Sequence, residues 1–464
     1  MPLIHTRKDI DDLLGGPTEA EEKLLTACMA GESCALGGLP RADDATREVR
    51  AEVLRYLILG GCEACHVHGW GVRLYGACVS GTLDLSFEKA RRATVLIRCR
   101  FAEDIIAQQS KLDLLVLNGS TLNVLSFQGI KVRGGVLLRD ITASGEVTLS
   151  GAQIGGQLSC EEAAFSATNG HALTMQRAHI REGLIWRSAS FSKGSVNLTA
   201  AYVGDLVDDL TSWPGAGRLI LDGFTYDRIS GAPTDAARRL DWLAKGSTWN
   251  GEFSPQPYTQ LAKVLREMGH DAQARTVLAE RERLLYREKF KTRWRLHNGE
   301  VSEGITVTNI HYLTILWSYF LQAVVGYGHR PFRSVLALLV LWLSATTVAH
   351  LAWEEGSFAP NSGPVLLSDD WQRFASEPAP ANPALLWSEK GAQGQDWESF
   401  SPHAYAADLV IPIVDIGQTA AWAPSTTRGF WGWHLWWLRW VFTLAGWVVT
   451  ALGAAAITGI IRRD

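Results

Sequence analysis

Charge of one sign is what this chain has least of. Its 44 lysines and arginines stand against 48 aspartates and glutamates, a net of −4 over 464 residues. That balance is too small to imply a nucleic-acid partner, and no basic run interleaved with aromatics occurs in the stretch 72–204. Cysteine is also sparse, and odd in number: Cys28, Cys34, Cys62, Cys65, Cys78, Cys99 and Cys160. The opening MPLIHTRKDIDDLLGG has no apolar stretch of the kind a secretory leader carries. The expectation is therefore that the N-terminal part stays in a reducing cytoplasm. Catalytic signatures are missing too. No Ser/His/Asp order, phosphate loop or G-x-G-x-x-G between a strand and a helix is present, which leaves no recognisable active site.

What the chain does have is a repeat. Six units headed by glycine follow one pattern: GTLDLS from Gly81, GVLLRDITAS from Gly135, GEVTLSGAQIG from Gly145, GQLSCEEAAF from Gly156, GLIWRSASFSK from Gly183 and GSVNLTAAYV from Gly194. Apolar residues alternate with polar ones over four or five positions, the mark of a short strand with one buried face. Glycine at the head supplies the positive φ or close backbone approach that a corner needs. One unit cannot bury its apolar row alone, so the rows must stack. Two units make a coil of roughly 21 residues, and about seven coils at about 4.8 Å each give a parallel β-solenoid roughly 35 Å long. Under strict alternation Leu149 points inward and Thr148 into water, and Cys78, Cys99 and Cys160 fill small core positions. Arg139, Asp140, Gln176, Arg177, Arg187 and Asn197 would form the outer face.

Two long apolar runs follow. Residues 335–353 (VLALLVLWLSATTVAHLAW) and 440–461 (WVFTLAGWVVTALGAAAITGII) carry no formal charge and are each long enough to cross about 30 Å of hydrocarbon. Arg330 and Arg333 precede the first run, and Arg462 and Arg463 follow the second. Between the runs, residues 354–430 hold three basic residues against ten acidic ones. Both outer flanks are thus expected in the cytoplasm and the acidic loop outside. Trp431, Trp433, Trp436, Trp437 and Trp440 form an aromatic belt, and Ala451, Ala455 and Gly459 offer a small-residue face for helix contact.

Residues 41–60 read as a helix, with Val49, Val53, Leu54 and Leu57 on one face and Gly60 closing it. It would plug the open end of the solenoid. Residues 1–40 read as irregular, with one helix around 19–29. A helical hairpin follows the solenoid: Tyr258, Leu261, Leu265 and Met268 share one face, and Ala274, Leu278 and Leu285 another, with Asp271 as a cap. Its second helix accumulates Arg281, Arg283, Arg287, Lys289, Lys291, Arg293 and Arg295. Such a helix near a membrane would attract anionic lipids, at about 1 kcal/mol per charge; the plain alternative is a solvated face. Residues 311–325 are apolar but too short to span, and suggest an interfacial helix.

Three motifs invite a sharper reading. The spacing of Cys62, Cys65 and His66 is that of a c-type haem attachment site, but attachment happens outside the cytoplasm. With His68 the same cluster offers two thiolates and two imidazoles for zinc, cramped into seven residues; a plain loop is the competing reading. Val325, Gly326, Tyr327 and Gly328 resemble a potassium-filter sequence, but the arginines directly after it fit a turn at the inner surface better. Residues 400–417, FSPHAYAADLVIPIVDIG, are an apolar segment between the two runs. A lid on the membrane surface is the favoured reading, and a re-entrant loop in a two-span pore the other.

The stretches VRAEVLRYLILGG, GVRLYGACVSGTLDLS, PYTQLAKVLREMGHDAQARTVLAERERLLYRE, VVGYGHRPFRSVLALLVLW and DLVIPIVDIGQTAAWAP resemble a family of bacterial membrane proteins related to pentapeptide-repeat proteins. The resemblance covers most of residues 45–461. Members are often labelled membrane-associated oxidoreductase; the label implies a redox activity for which no cofactor site carries over. The repeat here departs from strict five-residue periodicity, which implies a less even cross-section, as in bactofilin-like β-helices.

The fold class expected is mainly β: a pentapeptide-repeat or bactofilin-like parallel β-helix with an N-terminal helical cap, a C-terminal helical hairpin and two transmembrane helices. The cap region covers 1–66, the solenoid 67–228, the hairpin and basic helix 229–300, and an interfacial segment 301–334. The first span covers 335–353, the extracytoplasmic loop 354–430, and the belt with the second span 431–461. The functional expectation is a non-enzymatic scaffold or docking rod on the cytoplasmic face of a bacterial inner membrane, without cofactor. Its expected partners are anionic lipids at the basic helix, an unidentified protein, and a second copy of the chain, with no nucleic acid. The alternatives are an oligomeric channel gated by the solenoid and a redox protein using the Cys62/Cys65/His66 cluster.

Overall fold

A computed structural model describes residues 4–299 except 43, 64, 91, 250 and 251, residues 319–326 except 322, and residues 332–376 and 382–458. The chain divides into two compact units, Met1–Lys289 and Phe290–Asp464.

The first unit is a parallel β-solenoid of about seven turns. Each early coil lays down four short strands, and each strand pairs in parallel with its counterpart one coil on. One column runs through Val72–Tyr75, Ala93–Ile97, Leu114–Val116, Val136–Leu137 and Leu158–Ser159. A second runs through Cys78–Ser80, Arg100–Phe101, Thr121–Leu122 and Thr142–Ala143. The third holds Leu83–Asp84, Ile105–Ile106, Leu125–Ser126 and Val147–Thr148, and the fourth Lys111–Leu112, Lys131–Val132 and Gln153–Ile154. From Ala164 onward the corners between columns straighten. Ala164–Thr174 continues columns two and three as one strand, and His179–Trp186 continues four and one. The cross-section therefore changes along the axis. Leu158 sits on Val136, 22 residues back, but Leu184 sits on Leu158, 26 residues back. The added residues are taken up between Ser166 and His171, where register shifts.

The interior is a continuous apolar stack in which Val147, Leu149, Leu158, Leu173, Leu184 and Leu206 are fully buried. At the late coils it turns aromatic: Trp186 stacks on Phe165 at 5.9 Å and on Trp213 at 5.0 Å. Cys99 and Cys160 are core residues as expected, but Cys78 is half-buried and donates its thiol to the Arg41 carbonyl.

The glycines at the unit heads divide between the two roles expected of them, and Gly81 and Gly194 take a positive φ of 80° and 85°. Gly135, Gly145, Gly156 and Gly183 take no positive φ; what they supply is close approach, since a Cβ at Gly183 would lie 2.7 Å from the Asp205 carbonyl oxygen. The left-handed corners lie four or five residues after buried strand positions, in two stacked columns. One holds Arg98, Gly119, Asp140, Glu162 and Ser188, the other Phe87, Gln109, Gly129, Gly151, Arg177, Ala200 and Gly223, with φ from 51° at Arg98 to 70° at Gly223. All but Gly223 donate their N–H to the next coil, as Gln109 does to the Gln128 carbonyl and Arg177 to that of Thr199, while Gly223 donates to the side-chain oxygen of Gln256. The ladder holds non-glycine residues in a conformation that costs about 1–2 kcal/mol. Phe87 is 80% exposed, so its ring gains little in return. Phe87→Gly should therefore stabilise the solenoid by about 1 kcal/mol, visible as a raised melting temperature; no rise would mean that the Phe87 ring has a partner.

Both ends of the solenoid are covered. Helix α1 (Arg7–Leu14), helix α2 (Glu19–Ala30) and helix α3 (Ala51–Ile58) close the first. Residues 1–40 are thus less irregular than expected: Thr6 with Asp9 and Thr18 with Glu21 form capping boxes that start α1 and α2. The helix expected over 41–60 is only half that length, because Glu48–Arg50 pairs with Cys78–Ser80 and becomes the first rung of a column. The Glu-Val-Arg alternation suits that edge, and the open edge supplies a partner that an isolated helix would not have. At the other end stand α4 (Ala236–Gly246), α5 (Gln256–Glu267) and α6 (Asp271–Gly299), with Tyr258, Leu261, Leu265, Ala274 and Leu278 buried as expected.

The second unit contains two helices long and apolar enough to cross a membrane, Phe332–Glu354 and Phe430–Ile457. They pack on each other, and the second begins well before Trp440, taking in the tryptophan belt. Its packing face is Gly446, Val449, Gly453 and Ala456; of the face expected, Ala451 is exposed, Ala455 is half-buried and Gly459 lies outside the described residues. The reason is steric. A Cβ at Gly453 would meet the Ser334 hydroxyl at 2.6 Å, and one at Gly446 would collide with the Val410 carbonyl. The connection between the helices is folded around Trp353, Phe358, Trp371, Trp387, Phe400 and Trp422. Glu355 ties it to the second helix, accepting from the N–H groups of Phe430 and Trp431 at 2.7 and 2.8 Å. With these helices the chain is not mainly β: helix accounts for about 40% and strand 24%.

Candidate docking faces

The Cys62, Cys65, His66 and His68 cluster sits on a two-rung antiparallel hairpin, Gly61–Cys62 against Cys65–His66. Neighbours on a strand point to opposite sides, so Cys65 is buried while His66 is exposed. The His68 ring turns away to Gly31 and the Trp70 edge. The four side chains do not converge, and no group of three or more His, Cys, Asp or Glu side chains placed to hold a metal occurs among the described residues. Burial pushes the Cys65 thiol up, against the pull of Arg7. It pushes those of Cys28 and Cys99 up to about 12. Thiols held protonated at neutral pH are poor nucleophiles and poor ligands, and that chemistry gives the redox reading no support.

Of the outer positions, Arg139, Asp140, Gln176 and Arg177 are exposed and Arg187 half-exposed, but Asn197 is only 7% exposed. Asn197 belongs to a ladder with Thr174, Thr148 and Ser126, all nearly covered. Thr148 therefore does not lie in water: its hydroxyl is 3.2 Å from that of Ser150, and Thr174 beside it donates to Glu146 at 3.0 Å. Outward side chains on neighbouring coils are only about 4.8 Å apart and shield one another. Alternation tells which way a residue points, not what covers it.

The basic helix is α6. Arg283 pairs with Glu280 at 2.6 Å and Arg281 with Glu282 at 2.8 Å, while Arg287 is exposed. The side chains of Lys289, Lys291, Arg293 and Arg295 lie outside the described residues, as do Tyr327, Gly328, Arg330, Arg462, Arg463 and most of the interfacial segment 301–334.

A face that the outer-position reading missed lies along the fourth column. Lys89, Lys111, Lys131, Gln153 and His179 are stacked in register, one per coil, and all are exposed. They line a groove of about 650 Å³ together with Arg133, Arg181 and Asp113. Asp113 pairs with Arg133 at 3.3 Å. Among the described residues Lys89, Lys111, Lys131 and Arg181 have no ion-pair partner. The signal was present in the sequence as a lysine followed by an apolar residue (Lys89-Ala90, Lys111-Leu112, Lys131-Val132) recurring once per coil.

In the second unit, the 400–417 segment is a helix, Pro402–Val410, followed by a turn. The helix lies against both long helices. Trp342 donates its indole N–H to the His403 carbonyl at 3.0 Å, and the Thr443 hydroxyl donates to that of Leu409 at 3.3 Å. Ala345, Ala406, Val410 and Phe442 form one buried cluster. At the turn Ile413 is 85% exposed. The chain then returns, with Asp408 accepting from the N–H groups of Ile416 and Thr419.

No family model, curated protein or solved structure matches the chain.

Proposed function

We propose that the chain is a non-enzymatic scaffold: a β-solenoid held on the cytoplasmic face of a bacterial inner membrane by its two apolar helices, with its long faces serving as docking surfaces. The observation that carries this reading is the pairing of parts within one chain. A regular stacked rod with both ends covered presents an exposed, cation-lined groove, and two helices follow that are long and apolar enough to anchor it. Solenoids offer extended faces suited to binding. Anionic lipids would be attracted by the basic residues of α6, less strongly than seven unpaired cations would predict, because Arg281 and Arg283 are engaged by glutamates. In-cell photo-crosslinking from probes at Arg139, Gln176 and Lys131 should trap a partner protein, and a reporter fused after Asp464 should be active in the cytoplasm. Absence of a cross-linked protein from every face, or an inactive reporter at 464, would end the proposal.

A second reading, an oligomeric pore gated by the solenoid, draws on the Pro402–Val410 helix lying beside both apolar helices with an apolar turn at its end. The seven native cysteines all lie between Cys28 and Cys160, so single cysteines at 393 and 413 can be compared cleanly. In vesicles Gln393→Cys should react with a membrane-impermeant maleimide. If the turn enters lipid, Ile413→Cys reacts only after detergent is added, and ion flux is then worth measuring. Equal labelling at both sites would place the segment in water as a lid and remove the pore reading.

A further inference from the structure

We infer that the groove along the fourth column binds an extended acidic segment of a partner protein; this rests on the docking-rod reading and names the chemistry of what docks. Lys89, Lys111 and Lys131 are direct neighbours on adjacent parallel strands. Like charges in that position oppose folding, and any uncharged polar residue would serve the solenoid as well. Another outward ladder of the rod, Ser126, Thr148, Thr174 and Asn197, is uncharged and nearly covered. The lysine ladder is left open, and the residues that extend it, Gln153 and His179, are also hydrogen-bonding groups. Arg133 and Arg181 add cations along the same groove, and Asp113 is the one carboxylate among the described residues that line it.

The geometry selects among anions. From Lys89 to His179 the ladder has four steps of about 4.8 Å, roughly 19 Å. An extended peptide of about six residues covers that length, with same-side carboxylates about 6.7 Å apart. Lysine stems are long and flexible enough to absorb the mismatch of spacing. Single-stranded nucleic acid binds on stacking platforms of aromatic rings; among the described residues no Phe, Tyr or Trp lines the groove, and one tyrosine, Tyr202, stands at the rung beyond His179. A concave groove also suits a chain better than a flat lipid surface.

The test uses the full chain in nanodiscs of zwitterionic lipid and a fluorescent ten-residue polyglutamate peptide as the probe. Wild type should bind it with an affinity that falls as salt rises, and polyglutamine should not bind. The double variant Lys111→Gln/Lys131→Gln removes two exposed charges and should weaken binding about tenfold. Arg238→Gln/Arg266→Gln, which removes two exposed charges on α4 and α5, away from the groove, should leave it unchanged. Circular dichroism of each variant checks that the solenoid is intact. Equal binding by wild type and the lysine variant, or none by wild type, would overturn the inference. So would tighter binding of an oligonucleotide or of phosphatidylglycerol vesicles than of the peptide. Cross-linked partners trapped as well by the lysine variant as by wild type would remove the groove while leaving the docking rod standing.

Discussion

Asp208→Ala should cost the solenoid about 3–5 kcal/mol, because it strands a guanidinium inside the protein. Asp208 lies on the strand Tyr202–Asp208 and Arg239 on α4, and both side chains are fully buried. The two guanidinium nitrogens of Arg239 donate to the two carboxylate oxygens at 2.8 and 2.9 Å, and its Nε donates to the Pro233 carbonyl at 2.7 Å. The Trp213 indole donates to the same carboxylate at 2.7 Å. Removing Asp208 thus leaves the buried ends of the Arg239 guanidinium and the Trp213 indole N–H without their acceptor. The pair is expected to give specificity more than net stability, since desolvation offsets most of its attraction. The double variant Asp208→Leu/Arg239→Met should therefore recover most of the loss, and the cycle should show strong coupling. An exposed pair is the contrast: Arg7→Ala, which breaks the contact with Glu22, should change stability by less than about 1 kcal/mol. Thermal melting followed by the β signal of circular dichroism measures these three variants and the single changes Asp208→Leu and Arg239→Met that complete the cycle. Additive losses at 208 and 239 would show that the two residues do not act as a pair.

Leu149→Asp should be at least as damaging. Leu149 is fully buried between coils, with Phe127 before it and Met175 after it along the stack, both also buried. Losing a buried leucine alone costs about 2–5 kcal/mol, and a carboxylate without a partner adds a further penalty of several kcal/mol. That total is comparable to the whole stability of a typical domain, about 5–15 kcal/mol. Because each coil rests on its neighbours, the variant should lose the solenoid rather than a local segment. The matched surface change is Thr142→Asp. Thr142 is exposed on the strand Thr142–Ala143, next to the buried Ala143, and its replacement should cost no more than about 1 kcal/mol. Thr148 does not serve as that control, because it is only 7% exposed. Similar melting temperatures for the 142 and 149 variants would mean that the strand register is wrong.

Those two controls show where sequence reasoning stops. Alternation in GEVTLSGAQIG places Val147 and Leu149 on the same side, and both are indeed fully buried. It says nothing about Ser126 and Thr174, which flank Thr148 on the coils before and after and close over it. The glycine pattern marked places of close approach, but the left-handed corners are held by Arg98, Asp140, Glu162 and Arg177 as readily as by glycine. There the hydrogen bond to the next coil, which no local pattern encodes, sets the conformation.

Local periodicity was enough for the solenoid, its number of turns, the hairpin of α5 and α6, and the two long apolar helices, because each depends on residues within one coil or one helix. The tertiary structure alone decided the rest. The ion pairs of Glu21 with Arg50 and Asp208 with Arg239 join residues 29 and 31 positions apart, and the lysine groove gathers one residue from each of several coils. The packing face of Phe430–Ile457 was set by where Ser334 and Val410 come to lie. In each case the deciding contact is with a partner distant in sequence, and close packing, not local preference, determines which residues meet.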